Sequence, residues 1–397
     1  MGRIGIYGGT FNPPHIGHMA AAAQAVDALK LDRLLLIPAS IAPHKAMPEV
    51  SANPAQRLEM VQLASRDMDK VEVSDIELTR PGKSYSYETV LQLKKMYPHE
   101  ELVLIVGTDM FLSFHTWMHP EIILENAVIG VLYRGEPGEL ATVREKKEQM
   151  EKQGARIELV NNDVLQMSST DLRKMLIFRC ADRLLPLGVG DYIRDNGLYG
   201  TKENYRGLSM AQLEKAVTGL LKEDRVDHVL GCRDTAVALA KHWGADETDA
   251  ARAGLLHDIT KALPGFAQLT LCREYGTIPD DFSKKNPKVL HALTGSLVAQ
   301  RIFGENDRVT QAICAHTTGK PYMNLLDKII YVADYMEPNR KFPGVDKLRQ
   351  LAYTDLDAAV VLGLTMSVDL LTRQGREVSP VSKETLAWLN HESEKEK

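Results

Sequence analysis

A chain of 397 residues is too long for one ordinary domain and long enough for two of roughly 200 residues, each with its own core. A quarter of the residues are charged, yet the net charge is only −5, which argues against an electrostatic grip on nucleic acid or an anionic membrane and favours small-molecule partners. Cys180, Cys232, Cys272 and Cys314 stand too far apart for a zinc knuckle or a redox dithiol, and no apolar run reaches the ~18 residues of a membrane span, so the chain reads as soluble and cytoplasmic.

Ile4 and Ile6 lie in a short apolar run that stops at Gly8 and Gly9; Thr10, Phe11, Asn12 and two prolines follow, then an alanine-rich helical pattern over Met19–Leu29. That is strand, tight turn and helix N-terminus. Two glycines let a phosphate approach the backbone, and a helix opening near His15 aims its free N–H groups and positive dipole end at the same place. His15 and His18, three apart, share a helical face and can touch one anion; the plain alternative is an ordinary turn with two surface histidines. Arg33–Pro38 is a continuous apolar strand, and strand–helix–strand at this length is a βαβ unit. Further strands are predicted over Val71–Ile76, Leu102–Val106, Val128–Tyr133 and Ile157–Leu159, and helices over Pro54–Arg66, Ser86–Met96 and Pro120–Glu125. The pattern predicts an α/β, Rossmann-like sheet whose ligands gather outside the C-terminal strand ends.

The loops after those strands hold the candidates. Lys45, after the second strand, is either a cation beside the glycine turn or a solvated loop residue. RPGKSYSYET, from Arg80, is a turn-rich lead into a helix whose free N–H groups suit a carboxylate, with Ser84 or Ser86 also able to cap it. Gly107 and Asp109 follow another strand, and Trp117 offers a platform for an aromatic ring or a plug for a core. In MSSTDLR, Ser168 and Ser169 sit at a helix start with Arg173 one turn on, which is an anion site or a capped helix with an exposed arginine.

The string IGIYGGTFNPPHIGH matches the nucleotidyltransferase signature, and with the later segments in order it resembles bacterial nicotinate-nucleotide adenylyltransferases across residues 1 to about 200. VGDYIRDNGLYG, ending at Gly200, is similar to that family's C-terminal segment, and Ser86 stands where many relatives carry Thr. The resemblance implies ATP contacts from Gly8, Gly9, Thr10, Phe11, His18, Gly107, Asp109, Ser168, Ser169, Thr170 and Arg173. It implies nicotinate-nucleotide contacts from Asn12, Lys45, Ser84, Tyr85, Ser86 and Trp117, with Arg57 a weaker phosphate candidate. His15, His18, Lys45 and Arg173, with Mg²⁺ held mostly by substrate and water, would then transfer AMP from ATP to nicotinate mononucleotide, releasing pyrophosphate.

A polar stretch follows Tyr199, so the chain divides into residues 1–200, a linker 201–207 and residues 208–397. The second part reads as all-α, with helical periods over Met210–Leu221, Asp227–Trp243, Thr248–Leu256, Pro287–Phe303 and Leu325–Tyr335; its charged end is expected to fray. One histidine on an apolar helix is ordinarily a packed core residue. The adjacent His257 and Asp258 among leucines differ, because a buried, unpaired carboxylate is costly and a metal satisfies it; imidazole with carboxylate suits Fe, Mn or Zn. The order His228, His257-Asp258, His291, His316, Asp334 resembles HD-domain phosphohydrolases of the symmetrical diadenosine tetraphosphatase type. That resemblance implies one or two metal ions, Fe first with Mn and Zn as alternatives, on those six residues. It also implies Lys261, Thr317 and Arg340 on phosphate, and a metal-activated water that splits diadenosine tetraphosphate into two ADP. Rival readings are an acceptor such as nicotinamide mononucleotide for the first half, and a nucleotide-sensing or other phosphohydrolase role for the second. Self-association into a homo-oligomer stays open.

Overall fold

The computed structural model describes residues 2–42, 51–133, 138–162 and 167–395. They form two compact units, Met1–Lys202 and Glu203–Lys397, dividing in the polar stretch after Gly200.

The first unit is built on six parallel strands, β1 (Arg3–Gly9), β2 (Arg33–Pro38), β3 (Val71–Val73), β4 (Glu101–Gly107), β5 (Ala127–Tyr133) and β6 (Ile157–Asn161), in the order β3-β2-β1-β4-β5-β6. β2, β4 and β5 are buried almost throughout, as expected of runs such as RLLLIP with helices on both faces. Those helices are α1 (Ile16–Ala28), α2 (Pro54–Ser65), α3 (Ser86–Met96), α4 (Thr108–Leu112), α5 (Pro120–Asn126), α6 (Glu139–Glu151), α7 (Ser169–Ile177) and α8 (Val189–Asp195). Two apolar clusters form, one around Ile4, Ile6 and Val106, the other around Ala22, Leu34 and Ile105. The order reverses between β1 and β4, so the crevice beyond Gly9 and Gly107 is the switch point where such sheets bind ligands.

Two local expectations are corrected. β3 stops at Val73 rather than Ile76, because the Ser74 hydroxyl accepts the Ile76 N–H and a turn closes from Leu78 N–H to the Asp75 carbonyl at 2.8 Å. Neither Ser84 nor Ser86 caps α3: Tyr85 is the N-cap without a side-chain bond, and the Ser84 hydroxyl accepts the Ser40 N–H at 2.9 Å.

Among its described residues the second unit is helical: α9 (Met210–Leu220), α10 (Glu223–Trp243), α11 (Glu247–Leu256), α12 (Gly265–Glu274), α13 (Asp281–Lys285), α14 (Pro287–Val298), α15 (Asp307–Ala315), α16 (Leu325–Met336), α17 (Val345–Leu351), α18 (Leu356–Arg373) and α19 (Pro380–Lys395). Ahead of the charged tail, Ser382, Thr385 and Leu389 of α19 form a buried stripe at helical spacing, and the Ser382 hydroxyl donates to the Thr318 carbonyl. Among the described residues no helix is long and apolar enough to cross a membrane.

Candidate functional sites

In the first unit β1 delivers the chain to a turn that α1 continues. Phe11 takes φ 44° and points inward, 1% exposed, edge-on to Tyr7 and His18. A Cβ on Gly9 would come 3.2 Å from that ring, so glycine here gives Phe11 its room. The Phe11 side chain therefore shapes the loop from beneath. Asn12 is likewise consumed by the scaffold. Its Oδ1 accepts from Tyr199 Oη at 2.7 Å and from the Ala52 N–H, and its Nδ2 donates to Ser51 Oγ at 2.9 Å. At 2% exposed it braces the loop between Tyr199 and residues 51–52. Arg57, buried on α2, donates to the carbonyls of Thr10 at 2.9 Å and Ser40 at 3.0 Å, tying the loops after β1 and β2 together.

His15 and His18 form a reciprocal cap at the start of α1: His15 Nδ1 accepts the His18 N–H and His18 Nδ1 accepts the His15 N–H, each at 3.2 Å, with the rings stacked at 3.5 Å. An Nδ1 that accepts carries no proton, so in each neutral ring Nε2 bears the N–H and is the donor left for a ligand. Burial pushes the His15 pKa down to about 4 and holds His18 well below its ordinary value, with the neighbouring ring adding to the effect on His18.

α7 docks on the same loop. Ser169 Oγ donates to the Pro13 carbonyl at 3.1 Å, and Arg173 donates to the Asn12 carbonyl at 2.7 Å and to Thr170 Oγ1 at 3.1 Å. Ser168 is the N-cap, accepting the Asp171 N–H at 3.0 Å. Thus Ser169 and Arg173 reach Pro13 and Asn12, just ahead of His15 and His18, across more than 150 positions of chain. On the other side of the glycine turn a cavity of about 460 Å³ is lined by Gly8, Gly9, Thr10, Ser84–Ser86, Gly107 and Trp117. Trp117 is half-buried, its ring 5.1 Å from that of Phe114. Asp109 is exposed on the first turn of α4, and Lys45 lies outside the described residues. Sequence reasoning missed Glu77, which lines the cavity, is 6% exposed and accepts from Thr89 Oγ1 at 2.7 Å; burial lifts its pKa.

In the second unit α10 carries His228, the end of α11 presents His257 and Asp258, α14 carries His291, the end of α15 presents His316, and α16 carries Asp334. All six are buried, and Asp258 stands between them. Its Oδ2 lies 3.6 Å from both His228 Nε2 and His257 Nε2; its Oδ1 lies 3.1 Å from His291 Nε2 and 3.6 Å from His316 Nε2. Asp334 Oδ1 is 3.1 Å from His228 Nε2 and 3.8 Å from His257 Nε2. One carboxylate thus faces two imidazole pairs, and Asp334 completes the first corner.

The set fits divalent metal. His257, His291 and His316 donate Nδ1–H to the carbonyls of Gly254, Lys288 and Ile313, which leaves each Nε2 a bare lone pair. Two such nitrogens, on His291 and His316, face each other at 3.0 Å with the Lys261 ammonium 3.1 Å from the first, and buried Asp258 Oδ2 has an ion pair to Arg225 at 3.3 Å but no hydrogen bond; a divalent cation satisfies both. Burial holds the His257 and His291 pKa values down at about 4, the deprotonated form that ligation needs. Burial also works against a charge on His228, yet Asp258 and Asp334 lift it to about 9, and burial of those carboxylates is outweighed by their histidine partners, which hold them well below the usual range.

Basic groups ring the centre. Lys261 Nζ is 3.3 Å from Asp258 Oδ1, and Arg340 Nη2 is 2.5 Å from Asp334 Oδ1. The buried Thr317 Oγ1, beside His316, has no hydrogen-bond partner. Arg225 was missed: its Nη1 lies 3.3 Å from Asp258 Oδ2, and its place three residues before His228 on one helix was the available signal. Glu337 was missed too: its Oε1 accepts from His228 Nδ1 at 3.1 Å.

Residues 6–175 match the cytidylyltransferase-like family and residues 225–339 the HD domain family. The first half is 38% identical over 200 residues to a probable nicotinate-nucleotide adenylyltransferase of Exiguobacterium sibiricum, covering 50% of this chain and 100% of that protein. The second half is 40% identical over 171 residues to a symmetrical bis(5'-nucleosyl)-tetraphosphatase of Bacillus subtilis, covering 43% of this chain and 91% of that one. A solved HD-superfamily hydrolase of Clostridium acetobutylicum aligns at 36% identity and a TM-score of 0.46 over 47% of this chain and 98% of its own.

Proposed function

Because this chain belongs to the nicotinate-nucleotide adenylyltransferases over its first half and to the HD-domain symmetrical tetraphosphatases over its second, we propose that it joins NAD biosynthesis and diadenosine tetraphosphate hydrolysis in one polypeptide. In the first reaction a phosphate oxygen of nicotinate mononucleotide attacks the α-phosphorus of ATP, and pyrophosphate leaves in line. No covalent enzyme intermediate is needed, only two anions held in position with their charge stabilised. His15 and His18 supply Nε2–H donors, already oriented by their Nδ1 bonds and kept neutral by burial. Ser168–Thr170 and Arg173 hold the ATP phosphates at the start of α7, and Mg²⁺ accompanies ATP. The mononucleotide ring lies against Trp117, its carboxylate towards Ser84–Ser86. The cavity that joins the glycine turn to Trp117 at the sheet's switch point carries this reading.

In the second reaction water opens the central phosphoanhydride of diadenosine tetraphosphate and two ADP leave. Metal held by His228, His257, Asp258 and Asp334, and by His291 and His316 across Asp258, supplies Lewis acidity toward water and phosphate oxygens when bound. Lys261, Arg225, Arg340 and Thr317 draw and orient the tetraphosphate. The placement of Asp258 between two imidazole pairs carries this reading.

The test is product analysis on the full chain. ATP with nicotinate mononucleotide is expected to give deamido-NAD and pyrophosphate, well above the rate with nicotinamide mononucleotide, and diadenosine tetraphosphate with Fe²⁺ or Mn²⁺ to give ADP alone. Preference for the amide overturns the acceptor; AMP with ATP as products overturns symmetrical cleavage.

A further inference from the structure

Among the described residues that line the cavity of the first unit, Glu77 is the single charged one. It is 6% exposed, and the adenylyl transfer outlined above gives it no part. Its Oε1 accepts from Thr89 Oγ1 at 2.7 Å, and the Ser84 hydroxyl bonds to it as well. Ser84 Oγ in turn accepts the Ser40 N–H at 2.9 Å, and the Ser84 N–H reaches the Ile41 carbonyl at 2.9 Å, so Glu77 stands behind the loop that leads into α3. At the end of that loop Tyr85 caps α3 without a side-chain bond, which leaves the first N–H groups of the helix open to an anion.

A substrate carboxylate seated at Ser84–Ser86 therefore meets a protein carboxyl at the same rim. Two carboxylates in one buried place do not both stay ionised; one takes up a proton and the pair shares it. The free protein leans that way already, since burial lifts the Glu77 pKa and Glu88 adds to the effect, against the bonds from Thr89 and Ser84 and the charge of Arg80. Arg80 is not free to balance a second anion. Its Nη2 donates to Thr89 Oγ1 at 2.7 Å and stands 3.9 Å from Glu77 Oε1, while its Nε lies 3.9 Å from Glu88 Oε2, so one guanidinium already serves two carboxylates. With Oε1 held as the acceptor of Thr89, Oε2 is the atom left to carry a proton. A carboxamide brings no charge, and its NH₂ is matched by an ionised Glu77.

We propose that Glu77 sets the choice between acid and amide mononucleotides through one proton: it binds a proton from solvent as the acid enters and shares it with the nicotinate carboxylate, and it stays ionised when the amide enters. Selection of the acid then weakens as the pH rises. This rests on the adenylyltransferase reading of the first unit, with the nicotinate carboxylate towards Ser84–Ser86. The proton returns to solvent when the dinucleotide product leaves.

Calorimetry on the full-length protein tests it, with Mg²⁺ and α,β-methylene ATP present, in buffers of different ionisation heat over about pH 6.5 to 9, a range that spans a raised carboxyl pKa. Nicotinate and nicotinamide mononucleotides carry the same phosphate, so its protons cancel between them. At the alkaline end the wild type is expected to take up close to one more proton with the acid than with the amide, and to lose affinity for the acid by up to about 10-fold per pH unit. Glu77→Gln is a permanent donor of the same shape. It should abolish the difference and bind the acid more tightly than the wild type at the alkaline end, a gain that a merely structural role for Glu77 does not give. Equal proton uptake with acid and amide across the range overturns the proposal, as does a folded Glu77→Gln protein that keeps the wild-type difference or binds the acid more weakly throughout. Should Glu77→Gln fail to fold, the difference between acid and amide in the wild type decides. Absence of deamido-NAD from ATP and nicotinate mononucleotide overturns the adenylyltransferase reading itself, and the proposal with it.

Discussion

Histidine is used in opposite senses in the two units, and local backbone decides which. At the start of α1 the nearby free groups are N–H donors, so Nδ1 of His15 and His18 accepts and the proton stays on Nε2, suited to phosphate oxygens. At His257, His291 and His316 the nearby group is the carbonyl three residues back, so Nδ1–H donates and Nε2 is a bare lone pair, suited to a metal. A ring suited to an anion and a ring suited to a cation thus differ by one proton position, set by whether the residue begins a helix or follows along one. Each tautomer follows from a backbone group whose donor or acceptor role is fixed.

The largest expected effect tests the metal side of this contrast. Asp258→Asn removes the carboxylate that faces both imidazole pairs. Tetraphosphate hydrolysis should fall by about 10³-fold, with metal content measured by elemental analysis falling too, while adenylyl transfer is unchanged. Retained metal and turnover would show that Asp258 does not join the two corners.

His15→Asn tests the anion side. Asparagine is a favoured N-cap, so its Oδ1 can take over the bond that Nδ1 makes, while the Nε2 donor disappears. Steady-state assays should show adenylyl transfer down by about 10²- to 10³-fold with the fold intact, comparable to losing one preorganised donor from a charged transition state. Undiminished transfer would leave His15 a cap and nothing more.

The same substitution carries a pH signature. His15 in the folded protein titrates near 4, below its ordinary 6.5, so between those values the unfolded chain binds the extra proton and stability falls as pH falls. His18 is shifted in the same direction. Denaturant unfolding at pH 7 and pH 5 should show the wild type losing up to about 2 kcal/mol more than His15→Asn, because asparagine does not titrate. Equal losses would mean that His15 is not held neutral by burial.

Much of this was legible where neighbours in sequence do the work. Gly8-Gly9 before an alanine-rich helix, RLLLIP as a buried strand, and His257-Asp258 among leucines announce a glycine turn, a parallel sheet and a buried imidazole–carboxylate pair through local pattern alone. What stayed hidden depends on partners distant in the chain. Asn12 reads from sequence as a ligand candidate, and only Tyr199 and Ser51 folding onto it show its amide bracing the loop. Phe11 sits in a functional string but belongs to the core, since a positive φ turns it under the loop. Glu337 has no local reason to matter until α10 brings His228 against it. α6, with Val143 and Met150 as its buried side chains, has too thin an apolar stripe to announce a helix by period.

The smallest expected effect concerns a contact that neither histidine tautomer governs. Trp117 lines the cavity with its ring tilted 37° against Phe114 at 5.1 Å, so its orientation is held by packing before any ligand arrives. An aromatic face of this kind contributes about 0.5–1.5 kcal/mol beyond the area it covers, and the same to substrate as to transition state, since the ring is remote from the phosphorus. Trp117→Leu should therefore raise KM for nicotinate mononucleotide about 3- to 10-fold with kcat nearly constant, the mark of uniform binding. A fall in kcat at constant KM would place the ring in the reacting geometry instead, and would mean that the two ends of the loop, the tryptophan cavity and the histidine cap, act as one unit.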